Sequence, residues 1–553
     1  GMGADFVGSK APYGGATPFL DSLITQSLYW PNCLSNTGRT FGVLPTLTGS
    51  LPYGQTGFMG VAPNFPNHIS LWSWLNSNGY ETMYFYGGNG NFDNQDLFLE
   101  AQGIDHLFDE SSFPPGMNKM PADDNNFSWG YGDKELFEHG IKKLSEATSP
   151  KFSFFMTLTD HEPFIPPTTA FTTQIDDLIA AKHKSTYNEY GQIFECLAYT
   201  DHSLREFIKA CQKTDDYRNT IFVITGDHRL IPVPAEKRLD RFHVPLLIFS
   251  PLVSHPTVFE GLVAHSQITP TLMNWLSDTY QLSVNEQVSF ISDPFDTNTS
   301  FGSNLDVALM RSKNEIEEYI MGTKVLSDGK LYEIDAEFSL TPVSNKELKQ
   351  TLISRLNAFK VKGDLALREN RLIPDSLSLG LKSTYILSEK DLTFLEEQNL
   401  INSAPDTLYY AARNLAINRS FPQSRIIIKY GLSKSPNFHD LRVLLARTYA
   451  WNSQFDSAKI HLDETLRRAE NYEDAYIAYA DVAYWNEKTD LALEMASTGL
   501  ERNPTSLELK TRLARSYLEK NKTLEASKIV NDVLAIDPSN EMANTLQKRL
   551  RNL

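Results

Sequence analysis

The chain has 553 residues, enough for roughly two to four domains, and carries 51 Lys and Arg against 68 Asp and Glu, a net charge of −17. So acidic a chain lacks the electrostatic footprint of a nucleic-acid binder. It leaves room for a phosphate- or sulfate-bearing substrate, because a local cation or metal reverses the field inside one cleft. Its three cysteines, Cys33, Cys196 and Cys211, fit neither a disulfide framework nor a zinc motif and read as buried or incidental.

No apolar run of membrane-spanning length is present, and no signal-peptide pattern is visible. The chain opens abruptly at GMGADFVGSKAP, with Gly1 before Met2, which reads as a start downstream of the natural one. After an apolar stretch comes LSNTGRTFGVLPTLTGSLPYG (34–54), with four Thr, four Gly and one Arg. Short apolar runs at 81–88, 151–159, 219–227 and 244–251 predict strands, and amphipathic patterns at 68–79, 133–147 and 190–212 predict helices. This alternation predicts an α/β domain over 1–290, a mostly parallel sheet with helices on both faces. The short link 229–243 suits an antiparallel return, which would start a strand at His243 on the site side. Residues 291–375 read as an α+β appendage in which YIMGTKVLSDGKLYEID resembles a hairpin with an Asp-Gly turn, and 376–404 as a linker.

The C-terminal part has a period. Ala412, Ala446, Ala480 and Ala514 stand 34 residues apart; Ser424, Ala458, Ala492 and Ala526 come 12 positions later, and Pro436, Glu470, Pro504 and Pro538 12 positions after those. Small residues where paired helices cross, and Pro where the second helix stops, are the tetratricopeptide pattern. It predicts repeats at 405–438, 439–472, 473–506 and 507–540 with a cap helix after them. The concave face of such an array is a usual peptide groove, so a protein partner is expected there.

Candidate chemistry lies at strand ends, where open α/β sheets hold ligands. FFMTLTDH ends in Asp160-His161 and IFVITGDH in Asp227-His228. An adjacent Asp and His can share one divalent cation where the chain bends after the strand, and Gly226 eases such a bend. Thr40 offers a hydroxyl that becomes nucleophilic once a base or metal takes its proton, and Arg39 could fork onto a phosphoryl or sulfuryl oxygen. Asn89 and Asn91, in a loop after a strand, could touch a polar substrate, though loop Asn is usually turn chemistry. Asp201, inside a helix, reads as a packing or polar-network residue.

The ordered segments TPFLDSL, NTGRTFGVLPTLTG, LNSNGYETMYFYGGNGNFDN, GIDHLFDE, TLTDHEPF, YTDHSLREFI, ITGDH, VPLLIFSP and SQITPTLMNWL together resemble the sulfatase-like branch of the alkaline phosphatase superfamily, closest to its lipoteichoic acid synthase and phosphoglycerol transferase group. The resemblance covers roughly residues 1–360. It implies Thr40 as nucleophile and metal ligand, Asp227 and His228 as ligands of one divalent metal (Mn²⁺, Mg²⁺ or Zn²⁺), and His161 as a substrate contact. It also implies attack of Thr40 on phosphorus and transfer of the group to water or an alcohol. The Cys-x-Pro-Ser-Arg motif of formylglycine sulfatases is absent, and the substrate-binding Arg of the synthases is replaced by Gln95. The family's first strand, ending in a Glu-Ser ligand, is expected just upstream of Met2, behind a membrane anchor and outside the cytoplasm. Without it, the metal site would stand open on one side and bind its ion weakly or not at all.

Three functions stand as expectations. The first is a metal-dependent phosphotransferase or phosphodiesterase acting on an extracytoplasmic lipid head group or glycan. The second is a sulfate-ester hydrolase on the same fold. The third is a degenerate enzyme whose repeats serve as a binding scaffold.

Overall fold

The computed structural model describes residues 1–8, 11–53, 57–147, 150–182, 184–284, 288–313, 315–374, 385 and 387–552, with the backbone alone over 179–189. The chain divides into two units: Gly1–Asp105 with Asn118–Lys382, and His106–Met117 with Ser383–Leu553.

The strands in chain order are β1 (Leu28–Leu34), β2 (Glu81–Tyr86), β3 (His106–Phe108), β4 (Lys151–Met156), β5 (Phe222–Thr225), β6 (His243–Phe249), β7 (Thr257–Val258), β8 (Val263–Ala264) and β9 (Asp306–Ser312). They continue with β10 (Glu315–Met321), β11 (Lys324–Ser327), β12 (Lys330–Ile334) and β13 (Leu340–Pro342). In the first unit β5, β6, β1 and β7 lie side by side, with β8 also on β1. Here β6 runs antiparallel to both β5 and β1, as the short 229–243 link suggests, while β7 and β8 run parallel to β1. β2 and β4 pair in parallel, placing Phe85 opposite Phe155 with rings stacked at 4.5 Å, a contact worth about 0.5–1.5 kcal/mol beyond its area. The described pairings of this part are therefore mixed, three parallel and two antiparallel.

β1 escapes a propensity reading because Pro31 sits in its middle. Proline has no ladder donor, and the strand accommodates it with a register shift between Trp30 and Cys33. Neighbouring β1 side chains serve opposite faces of the sheet. Trp30 packs with Val43, Leu47 and Trp275, from the helices Val43–Gly49 and Ile268–Tyr280. Tyr29 packs with Phe137 and Phe207, from the helices Asp133–Glu146 and Lys184–Cys211. Cys33, Cys196 and Cys211 are buried free thiols.

The appendage is an antiparallel sheet ordered β13-β12-β11-β10-β9. Two hairpins occupy the stretch that reads as one. The second turns at Asp328-Gly329, with φ of 46° and 67°, the backbone of a type I′ turn. The helix Lys346–Arg368 lays Leu352 and Leu356 against Tyr319, Leu326 and Leu331. Thr37 bridges to Met310 of β9, flanked by Gly38 N–H donating to the Met310 carbonyl and Met310 N–H to the Asn36 carbonyl, each at 2.8 Å. The appendage thus fixes the Thr-rich loop.

In the second unit helices pair as Pro405–Ile417 with Phe421–Lys434, His439–Ala450 with Phe455–Arg468, Glu473–Trp485 with Thr489–Arg502, and Leu507–Glu519 with Thr523–Ile536, succeeded by Glu541–Arg551. The periodic Ala412, Ala446, Ala480 and Ala514, and their companions Ser424, Ala458, Ala492 and Ala526, are all buried. Ser424 Oγ donates to the Ala412 carbonyl at 2.8 Å, tying the two helices of the first pair at their crossing. The stretch that reads as a linker corrects in part: Glu389–Glu397 is a helix, and Tyr385, Leu395 and Leu400 join the core of the first helix pair, whereas 375–384 and 386 lie outside the described residues.

Asp201 acts within the first unit as a cap. Its carboxylate accepts the N–H groups of Phe19 (2.9 Å) and Leu20 (2.8 Å) in the first turn of the helix Pro18–Ile24, where free donors and the helix dipole favour an anion. Burial nevertheless pushes its pKa up to about 6. Asp201→Ala strands both donors and is expected to lower unfolding free energy by about 2–3 kcal/mol, measured by urea unfolding with the far-ultraviolet dichroism of the native state unchanged.

Candidate active site

Of the four Thr hydroxyls in the 34–54 loop, three are bonded to nearby backbone. Thr37 donates to the Arg39 carbonyl at 3.0 Å, Thr46 to Gly42 and Thr48 to Leu44, both at 2.7 Å. Thr40 is the exception. Arg39 is extended (φ −157°), a helical turn begins at Thr40, and the helix Val43–Gly49 comes next, fully buried. This break in backbone direction turns Thr40 Oγ1 to the end of β5. There it donates to Asp227 Oδ2 at 2.7 Å and lies 3.4 Å from His228 Nε2. His228 Nε2 is in turn 3.3 Å from Asp227 Oδ2.

The rest of the β5 end holds these atoms still. His228 Nδ1 donates to the Arg229 carbonyl at 2.8 Å, which leaves the Nε2 lone pair toward Thr40 in the neutral ring. Burial lowers the His228 pKa. Burial would raise Asp227, but the adjoining His228 ring, the Thr40 hydroxyl and the His228 N–H outweigh it and hold the carboxylate well below its usual range. Arg229, buried, bonds Asp5 at 2.8 Å and the carbonyls of Leu230, Val233 and Pro234, shaping the loop beyond His228. Gly226 corrects the expected reason for glycine: its φ is not left-handed, and a Cβ there would stand 1.9 Å from the Met2 carbonyl oxygen. Close backbone approach, not the bend, requires it.

The turn after β4 brings Asp160 and His161 to the same cavity, about 440 Å³ in volume and also lined by Arg39, Thr40, Phe41, Phe92, Asp93, His228 and Lys313. Asp160 is buried, its Oδ1 has no hydrogen-bond partner among the described residues, and burial first, then the charges of Asp133 and Asp227, push its pKa up to about 8. His161 Nδ1 donates to the Glu162 carbonyl at 2.9 Å, and its ring meets Trp129 edge-on at 4.6 Å. Nε2 is thereby the nitrogen left for a ligand.

Among the described residues no three His, Cys, Asp or Glu side chains converge as a metal cluster. The set here is one carboxylate, one imidazole and one hydroxyl. Donors bound to one cation at about 2.0–2.2 Å stand roughly 3–3.5 Å apart, close to the separations of 2.7, 3.3 and 3.4 Å observed. Together with the orphaned Asp160 oxygen, this donor set fits a divalent ion.

Four candidates do not line the cavity. Gln95 is buried and accepts from the Tyr84 hydroxyl. Asn89 Oδ1 accepts the Asn91 N–H at 3.0 Å, a local turn bond. His243 does begin β6, but its ring stacks on Phe338 at 3.7 Å and Nε2 donates to the Pro31 carbonyl at 2.7 Å. Local spacing gives no measure of such burial. Reading along the chain also misses Lys313, paired with Asp93 at the cavity, and Asp133. Asp133 accepts the N–H groups of Leu158 (2.9 Å) and Thr159 (3.0 Å) and the Thr200 hydroxyl (2.7 Å), fixing the turn that presents Asp160 and His161.

Comparison with known proteins bears on the family and the fold. The sequence profile of the family described as Sulfatase matches residues 2–279, half of the chain. The chain belongs to the sulfatase family. A tetratricopeptide-repeat profile matches residues 483–550 of this sulfatase-family chain. Its relatives include the lipoteichoic acid synthase-like YvgJ of Bacillus subtilis, 26% identical over 47% of this chain and 43% of that one. Another is phosphoglycerol transferase I of Citrobacter koseri, 24% identical over 41% and 29%. The sulfatase-family chain therefore spans less than half the length of these curated relatives. Solved structures sharing the fold include an alkaline phosphatase superfamily protein from Vibrio parahaemolyticus (TM-score 0.53, 21% identity, 68% of this chain and 86% of that one). The lipoteichoic acid synthase LtaP from Listeria monocytogenes also shares it (TM-score 0.50, 19% identity, 68% and 90%).

Burial holds three histidines neutral, with pKa values lowered to about 4 for His68 and His243 and about 3 for His265. A histidine whose folded pKa lies below its unfolded one stabilises fully above the unfolded value and loses that contribution as pH falls toward the folded one. Stability is therefore expected to decline between pH 6.5 and 4, each such histidine accounting for on the order of 2–3 kcal/mol by pH 4. His243→Gln should shallow that decline, read as urea midpoints across the pH range.

Proposed function

We propose that the chain is a phosphotransferase or phosphodiesterase in which Thr40 is the nucleophile and Thr40, Asp227 and His228 hold one divalent metal. The observation that carries this reading is the single threonine of the loop, out of four, whose hydroxyl meets the strand-end Asp-His pair inside a cavity also lined by Arg39, Lys313 and His161. The names of the relatives, lipoteichoic acid synthase and phosphoglycerol transferase, support a phosphoglycerol-type group over a sulfate ester. So does the absence of a formylglycine motif. The substrate is an anionic lipid head group or glycan met outside the cytoplasm, and the repeats offer a surface for a protein partner.

When bound, the metal supplies Lewis-acid stabilisation of phosphoryl charge and a lower pKa for the hydroxyl. The chain's own groups do the rest. Thr40 Oγ1, oriented by its bond to Asp227 Oδ2, gives up its proton to solvent and attacks phosphorus. Arg39 and Lys313 draw the anionic ester to the pocket, which offsets the chain's negative field. As the bond from phosphorus to the departing alcohol breaks, His161 in its imidazolium form gives that oxygen the Nε2 proton, and the neutral ring takes a proton back from the water or alcohol that attacks next. Water or an acceptor alcohol then attacks phosphorus from the same side, and the Thr40 hydroxyl is restored. The turn held by Asp133 keeps His161 in place.

Turnover of bis(4-nitrophenyl) phosphate and 4-nitrophenyl sulfate with added Mn²⁺ tests the proposal. The diester should be hydrolysed faster than the sulfate, and Thr40→Ala should lose about 10³-fold or more in rate. Isothermal titration should show weaker Mn²⁺ binding by Asp227→Asn. Faster sulfate turnover replaces the phosphoryl reading with a sulfate-ester hydrolase. Unchanged turnover in Thr40→Ala rejects the nucleophile, and no Thr40-dependent turnover of either ester leaves the repeat scaffold.

A further inference from the structure

Within the second unit, residues His106–Met117 stand with repeats from which they are separated by more than 260 residues of sequence. This short segment folds on itself first. The Asp109 carboxylate accepts the Ser111 N–H at 3.0 Å and the Ser111 hydroxyl at 2.6 Å, and Ser112 Oγ donates to the Asp109 carbonyl at 2.7 Å, so Glu110–Ser112 is a tight helical turn. The repeats then contact that turn. Ser111 Oγ lies 3.0 Å from His439 Nε2, and Asn471 Nδ2 donates to the Ser112 carbonyl at 3.1 Å. β3 packs beside the helix Phe455–Arg468.

These contacts have the character of peptide recognition. One is to a side chain and one to a main-chain carbonyl, and both come from buried residues of the second repeat, at its two ends. Asn471 has an equivalent 34 residues earlier, Asn437, which is also buried and whose amide atoms have no hydrogen-bond partner among the described residues. Successive repeats thus present an amide at the same position, one of them reading the segment's backbone. The segment carries Asp109 and Glu110, and on the repeat side Arg442 stands near His439, as does Arg468, itself paired with Glu464 at 2.6 Å. A pre-folded turn also costs little ordering entropy when it docks.

We infer that the repeat surface around His439 and Asn471 is a peptide-recognition site for an acidic-Ser-Ser-Phe turn, and that its occupant is the chain's own Asp109-Glu110-Ser111-Ser112-Phe113. The segment excludes foreign peptides of the same chemistry from this place, and an outside partner must use other parts of the repeats.

Two experiments on the full chain test this. In hydrogen exchange read by mass spectrometry, His439→Ala with Asn471→Ala should speed exchange over 106–117 at least tenfold, while 489–536 keeps its rate and so reports folded repeats. Unchanged exchange over 106–117 overturns the inference. In the second, a labelled peptide of residues 105–118 is added in trans. It should bind the parent at least tenfold more weakly than a variant in which Asp109→Gly, Ser111→Gly and Phe113→Gly vacate the seat. Equal binding to both, or binding to neither, overturns it. The second arm leaves the repeats unmutated, so its outcome does not depend on the double variant folding.

Discussion

The site depends on one feature of sheet geometry: β6 lies between β1 and β5 and runs antiparallel to each. Two strands antiparallel to the same neighbour are parallel to one another, so β1 and β5 end on the same side of the sheet. The chain leaves β1 into the Thr-rich loop and leaves β5 into Asp227-His228. Groups 187 residues apart in sequence thereby meet at 2.7 Å. Two further ties define the meeting: β9 fixes Thr37 and Gly38, and Arg229 gathers the loop after His228.

Electrostatics around this point run against the molecule as a whole. The chain is strongly acidic, yet Arg39, Lys313 and two imidazoles line the cavity with the Thr40 hydroxyl, and Asp227, Asp160 and Asp93 stand among them. Asp227 stays ionised because the His228 ring and its hydrogen-bonding neighbours outweigh its burial, whereas Asp160, with one bare oxygen, is driven toward its protonated form. Two aspartates in equivalent strand-end dipeptides therefore carry different charge, and a cation beside them would bring them closer together.

Much of this was legible along the chain, and the exceptions share a cause. Runs of apolar residues located β2, β4, β5 and β6, and a 34-residue period located the paired helices, because both signals are local and repeated. Strand-end Asp-His pairs drew attention to Asp227 and His228 for the same reason. β1 was hidden by Pro31, tolerated only through a register shift. Gln95 and His243 looked available because spacing is silent about burial, and Tyr84 and Phe338 cover them. Asp133 showed no local sign, since its partners are 25 to 67 residues away. Residues 106–117 read as ordinary α/β texture, and only their placement joins them to the repeats.

The hydrogen-bond accounting of the Thr-rich loop has a chemical consequence. Thr37, Thr46 and Thr48 have each committed their proton to a backbone carbonyl, so of the loop's four threonines only Thr40 offers its oxygen to an electrophile in the cavity. A phosphorylating or phosphonylating reagent that enters the cavity would find one threonine acceptor, and threonine labelling of the loop would stop at one equivalent per chain. The loop therefore provides a means of active-site titration: counting covalent adducts would count correctly folded sites without any knowledge of the natural substrate.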